Sequence, residues 1–259
     1  MTSKVSVVTI NYNMAAGLEA TIQSVLGQNY PALEYVIIDG GSTDGSTEII
    51  RSYAARLAYW VSERDGGVYD AMNKGAAAAT GEWVIFMNAG DSFHDPRVMA
   101  EAFSTVHEDA DILYGDVVRR AADGSEMLIP SRPTALPLQM PANHQCIFTR
   151  RSLLREHPFA ADFPISADHE FLLWAQGKGA RFQKLPRTIA VFTRGGLSDR
   201  QRGASLAQLR VMLKRHGRFA PAVALRYWLF VLRALAGPLA RRLLPAGLTR
   251  WLLARKRFD

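Results

Sequence analysis

An amide and a carboxylate, Asn88 and Asp91, follow directly on the run Trp83–Met87 (WVIFM). That run leaves no face for water, so it predicts a strand in the middle of a sheet. Ligands of open α/β sheets gather at the carboxyl ends of such strands. Placed there, Asn88 can hydrogen-bond a ribose. Asp91 can hold a divalent cation, Mg²⁺ or Mn²⁺, against a diphosphate, since these ions take hard oxygen ligands. The structural alternative for Asp91 is a cap on the segment that begins near Pro96.

The elements that must position these groups alternate along the chain. Val5–Asn11 reads as a buried first strand. Met14–Leu26 reads as a helix with Leu18, Ile22, Val25 and Leu26 on one face, ended by Gly27 and Pro31. Leu33–Ile38 reads as the second strand, and residues 39–46 as a turn rich in residues that tolerate positive φ. Thr47–Arg56 reads as a helix, Leu57–Ser62 as a third strand and Asp70–Thr80 as a small-residue helix before the fourth strand. This rhythm predicts a mainly parallel sheet with right-handed crossovers. Beyond Asp91 the pattern loosens. A helix is expected at Pro96–Val106, and a hairpin of Ile112–Arg119 with Met127–Ile129 across Asp123-Gly124. Then come a proline-rich loop at 130–142, a strand at Asn143–Thr149, a helix at Ala167–Gln176 and a strand at Phe182–Phe192. A basic helical stretch is expected from Ala204.

The segments VSVVTINYN (5–13), SVLGQNYPALEYVIIDGGSTDGS (24–46), SERDGGVYDAMNKG (62–75), GEWVIFMNAGD (81–91) and ADHEF (167–171) are similar, in order and spacing, to those of inverting glycosyltransferases of family 2. The wording DGGVYDAMNKG further resembles a subgroup that builds bacterial exopolysaccharide and colanic-acid-type repeat units. The resemblance covers roughly the first 200 residues. It implies a GT-A fold over 1–200, with residues 201–259 as a basic helical appendage, and a nucleoside-diphosphate sugar as donor. It also assigns roles. Thr9 and Asn11 lie at an edge that meets the nucleobase, with strand capping as their alternative. Asp39 meets a base N–H or a ribose hydroxyl, although the usual second acid is Gly40 here. Asp44 is read as satisfying its own turn. Asp65 lies in a turn that closes over the nucleotide. Lys74 faces a phosphate or pairs with Asp70. The sequence Asn88-Ala-Gly-Asp91 stands where the family carries Asp-x-Asp, which leaves Asp91 as the anionic metal ligand. Asp168 is the expected general base for a single inverting displacement, with Glu170 as a reserve and helix capping by Ser166 or Asp168 as the structural reading. His144, Asp116, Arg194 and Ser198 are further polar candidates without a fixed role.

Charge separates the chain into two parts. Residues 1–200 carry 18 Lys/Arg against 23 Asp/Glu, while residues 201–259 carry 13 basic residues and one acid. Trp228, Phe230 and Trp251 with Arg226, Arg233, Arg241 and Arg242 suit a helix lying on an anionic membrane surface. The apolar runs are shorter than the roughly 20 residues of a spanning helix, and no nucleic-acid-binding motif is present. The single cysteine, Cys146, and an N-terminus without secretory features fit a protein on the inner face of the cytoplasmic membrane. The expected acceptor is a saccharide, lipid-linked in this setting. Two rivals stand beside this reading. A sugar nucleotidyltransferase would need a Gly-rich basic triphosphate loop, which TINYNMAAG does not supply. A non-catalytic scaffold with a decayed site would be indifferent to loss of Asp91 or Asp168.

Overall fold

The computed structural model describes residues 2–121, 123–133, 136–193 and 202–243, with side chains described for 203–232 in the last segment. The chain divides into two units, Met1–Gln208 and Leu209–Asp259.

In the first unit, every residue of β1 (Val5–Asn11) and of β4 (Trp83–Phe86) is buried, as is all of β2 (Leu33–Asp39) except Leu33. Strands that offer no polar face occupy the middle of a sheet covered on both sides. β1 pairs in parallel with β2 on one side and β4 on the other, and β2 pairs in parallel with β3 (Tyr59–Ser62). The helices that cross between them are α1 (Ala15–Leu26), α2 (Ser46–Ser52) and α3 (Val68–Ala78). The chain runs β1 to β2 to β3 in one direction and then returns across β1 to place β4. The carboxyl ends of β1 and β4 therefore flank a switch point, where a crevice opens.

The second half of the sheet is mixed rather than parallel. β5 (Ser92–Phe93), β6 (Ile112–Arg120), β7 (Glu126–Ile129), β8 (Ile147–Arg150) and β9 (Phe182–Thr193) complete the order β3-β2-β1-β4-β8-β6-β9-β5, with β7 on β6. β8 lies antiparallel to β4 and β6, while β6 and β9 are parallel with a bulge near Asp116. Helices α4 (Val98–Ser104), α5 (Arg151–Glu156) and α6 (Ala167–Gly177) flank this half.

Several boundaries differ from the sequence expectation. The expected helix Thr47–Arg56 breaks at Tyr53 into α2 and a 3-10 turn at Ala54–Arg56. The expected strand at Asn143 begins instead with a 3-10 turn, His144–Cys146, closed by the Cys146 N–H on the Asn143 carbonyl at 2.9 Å. β5 and α5 were not anticipated. Two residues, or six with only Leu154 buried, are too short to show a period.

The second unit contains most of α7 (Arg202–Arg215) and α8 (Pro221–Leu243). Tyr227 is buried and packs edge-on against Phe219 and Trp228, and the Arg210 guanidinium lies 5.6 Å from the Trp228 ring centre. Among the described residues, no helix is long and apolar enough to cross a membrane.

The face of α3 that meets the sheet carries a glycine, Gly75, for a geometric reason. A Cβ on Gly75 would stand 2.3 Å from Val8 Cγ1 and 3.4 Å from Ile38 Cγ1. Gly75→Val should therefore push α3 off β1 and cost about 2–3 kcal/mol, the usual scale for overpacking. Urea unfolding measures this. A variant as stable as the parent would show that the helix is free to shift outward.

Candidate active site

The loop 87–91 runs on beside β1, with the Met87 N–H on the Val8 carbonyl and the Ala89 N–H on the Ile10 carbonyl. Thr21 on α1 fixes the turn. Its hydroxyl donates to the Asp91 carbonyl at 2.7 Å and accepts from the Gly90 N–H at 3.0 Å. The Asp91 side chain meets no such partner among the described residues. Burial alone raises its carboxyl to about 7. Asn88 Nδ2 donates to His144 Nε2 at 3.0 Å, and Asn88 Oδ1 is left buried without a partner.

Asp168 stands in the first turn of α6. Its Oδ1 accepts from the Tyr69 hydroxyl at 2.8 Å and from the His169 N–H at 2.9 Å. His144 Nδ1 lies 3.8 Å from its Oδ2. Asp168 therefore accepts a backbone N–H at the helix start and also keeps a carboxylate toward open space. The serine before it, Ser166, makes no side-chain cap and instead bonds Ser205 at 3.2 Å. Asn88, Asp91, His144 and Asp168 line one cleft of about 980 Å³, together with Arg119 and Gln145. A separate cleft of about 770 Å³ lies at the amino ends of β1 and β4, beside Ser3 and Trp83.

The other expected site residues divide. Asp39 ends β2 and is fully buried. Burial would raise its carboxyl, but hydrogen bonds from Ser42, Ser62 and Asn11 outweigh this and hold it below the usual carboxylate range. Asn11 gives Nδ2 to Asp39 at 2.6 Å, which leaves its buried Oδ1 open. The Thr9 hydroxyl is spent inside the core on the Met87 carbonyl and the Tyr35 hydroxyl. Asp44 accepts from Ser46 and from the Ala15 N–H, and so serves the starts of α1 and α2.

Asp65 and Lys74 are not among the residues lining the main cleft. Asp65 accepts from the Gly67 N–H, and a Cβ on residue 40 would lie 2.5 Å from its Oδ2. Position 40 thus has no room for a second acid while Asp65 occupies that space. Lys74 pairs with Glu63 at 2.8 Å, more closely than with Asp70 at 3.7 Å. Glu170, the reserve base, is buried against His157 at 3.0 Å and is not part of the cleft lining. Asp116 bonds the Ser131 N–H and hydroxyl. Arg194 and Ser198 lie outside the described residues.

Tyr69 and Gln145 are among the cleft residues that were not singled out from the sequence. Tyr69 stands inside the quoted VYDAMNKG segment, but its hydroxyl meets Asp168 across 99 positions. Gln145 is 3% exposed with Oε1 unpartnered, and no local pattern marks it.

The family described as "Glycosyl transferase family 2" matches residues 6–164. The chain belongs to this family. An uncharacterized glycosyltransferase of Mycobacterium tuberculosis is 36% identical over 178 residues, covering 66% of this chain and 68% of that protein. A PGL/p-HBAD biosynthesis glycosyltransferase of Mycobacterium bovis is 34% identical over 175 residues, covering 64% and 67%. Among solved structures, the mannosyltransferase PcManGT from Pyrobaculum calidifontis, in complex with GDP-Man and Mn2+, aligns with TM-score 0.66 and 21% identity over 99% of this chain and 80% of its own. The S. aureus TarS fragment 1–349 aligns with TM-score 0.64 and 19% identity over 81% of this chain and 65% of its own. The sheet and its flanking helices are thus the GT-A fold of a family 2 glycosyltransferase.

The state of Asp91 makes a pH prediction. Its folded value of about 7 lies above that of an unfolded aspartate, so the native state holds the proton more tightly. The associated stability is complete below roughly pH 4 and is lost as pH rises through about 7. Asp91→Asn is neutral throughout and lacks this loss. Its denaturation midpoint should fall less than the parent's between pH 5 and 8, and parallel slopes would contradict the assignment.

Proposed function

We propose that this glycosyltransferase moves a sugar from a nucleoside-diphosphate donor to an alcohol of a saccharide acceptor, with inversion at the anomeric carbon. The observation that carries this reading is the presence of Asp91 and Asp168 on one cleft at the switch point of the sheet. In the reaction, the acceptor hydroxyl gives its proton to the Asp168 carboxylate as its oxygen bonds to the anomeric carbon. The bond from that carbon to the diphosphate breaks, and the diphosphate leaves with the electron pair. Tyr69 and the His169 N–H hold the base in place.

At the donor end, Asn11 Oδ1 is a buried acceptor without a partner, beside the hydrogen bonds that Ser42 and Ser62 give to Asp39, and it would serve the nucleoside side of the site. Asn88 Oδ1 is buried without a partner in a residue of the cleft lining, and a small turn of the amide would offer it to the ribose or the diphosphate. Among the described residues no three His, Cys, Asp or Glu side chains gather as a metal site. An uncompensated carboxylate beside an unpartnered amide oxygen nevertheless fits one hard cation whose remaining ligands come from the diphosphate. Mg²⁺ or Mn²⁺ bound there would supply Lewis-acid stabilisation of the leaving group. The complex of PcManGT with GDP-Man and Mn2+ supports this reading.

A thermal-shift screen of UDP, GDP and their sugars with Mg²⁺ or Mn²⁺ tests the donor class. At least one pair should stabilise the parent, and Asp91→Ala should abolish that shift. Asp168→Asn should retain nucleotide binding and lose turnover by about 10²–10⁴-fold. A parent that binds no nucleotide, or an Asp168→Asn enzyme at full rate, would sink the proposal.

We further propose that the acceptor is lipid-linked and that α8 lies on an anionic membrane surface at the inner face of the cytoplasmic membrane. Leu225, Trp228, Leu229 and Leu232 are exposed at the i, i+3, i+4, i+7 spacing of one helical face, with Arg226 exposed beside them. The protein should float with phosphatidylglycerol vesicles and not with phosphatidylcholine vesicles. Trp228→Glu with Leu232→Glu should release it, and equal flotation of parent and variant would exclude this face.

A further inference from the structure

The ring of His144 lies between the two halves of the site, with Asn88 on one side and Asp168 on the other. An amide nitrogen has only protons to give, so Asn88 Nδ2 must donate to His144 Nε2 across their 3.0 Å contact. The proton of the neutral ring then sits on Nδ1, the atom that faces Asp168 Oδ2 at 3.8 Å. The same hydrogen bond decides which end of the Asn88 amide is left over. With Nδ2 engaged, Oδ1 is the atom left buried and open. The ring belongs to the 3-10 turn that precedes β8 and keeps 30% of its side chain exposed in the cleft.

We infer that His144 is a positioning residue that couples donor binding to the base: its Nε2 holds the Asn88 amide, and its Nδ1–H, 3.8 Å from Asp168 Oδ2 and too far for a hydrogen bond as it stands, closes on that carboxylate when donor and acceptor fill the site. His144 takes no proton in the reaction, and the hydroxyl proton still passes to Asp168. The groups that face Asp168 are the Tyr69 hydroxyl from α3, the His144 ring, and His169 on α6 itself. The His169 Nε2–H donates to the Pro137 carbonyl at 3.0 Å and points away from the base. Of these, His144 alone touches both Asp168 and Asn88. The inference rests on the reading of Asp168 as the base.

Two near-isosteric substitutions separate the ring's two nitrogens. His144→Asn places a donor near the Nδ1 position and removes the acceptor for Asn88. His144→Gln places an amide near the Nε2 position and removes the Nδ1–H. The experiment measures nucleotide Kd by calorimetry and the kcat–pH profile for both, beside the parent. His144→Asn should weaken nucleotide binding by about tenfold and leave the acidic limb of kcat in place. His144→Gln should keep nucleotide affinity within about twofold and lower kcat by about 10²-fold, the cost of a misplaced reacting group. Its acidic limb should differ from the parent's, a readout that a packing role would not move. Two variants with the same loss of kcat, unshifted limbs and unchanged Kd would overturn the inference and leave His144 as packing. A parent without nucleotide affinity would instead overturn the donor-site reading itself.

Discussion

The site turns on the half-buried Asp91 carboxylate, which has no balancing charge among the described residues. Asp91 sits on a loop whose backbone is pinned by Thr21 and by the end of β1. Its carboxyl is raised to about 7 by burial alone. A group of this kind is a candidate for a cationic or hydrogen-bonding ligand. The switch point in the sheet sets Asp91 and Asp168 on the same cleft.

The other buried acids show the contrast. Glu34 accepts from Lys4, Ser6 and Thr80. Burial opposes its charge, yet these bonds bring its carboxyl down to about 2. Asp39 is treated the same way by Ser42, Ser62 and Asn11. Both are finished parts of the frame, with their lone pairs used inside the protein. Asp39 ties the ends of β1, β2 and β3 together and thereby sets the floor on which a nucleoside would rest.

The parallel half of the fold was legible because β1, β2 and β4 are short runs dominated by apolar residues, separated by helix-like segments and Gly-rich turns. The VSVVTIN, LEYVIID and WVIF strands lie where the pattern put them. The mixed half was less legible, since β5 and β8 owe their existence to pairing with β9, β4 and β6 rather than to local propensity. The same distinction runs through the site. Asp91 and Asp168 stand at the ends of recognisable elements and share a cleft. Lys74 was ambiguous because an exposed lysine on a helix reads alike whether it meets a phosphate or Glu63. Tyr69 and Gln145 acquire meaning only from partners or surroundings that are distant in sequence.

The most direct test of the account is the anomeric configuration of the product. A donor of known configuration, chosen by its binding, is turned over and the new glycosidic linkage is read from its anomeric proton coupling by NMR. A single displacement with Asp168 as base gives the opposite configuration to the donor. A product that retains the donor configuration would contradict the account at its centre.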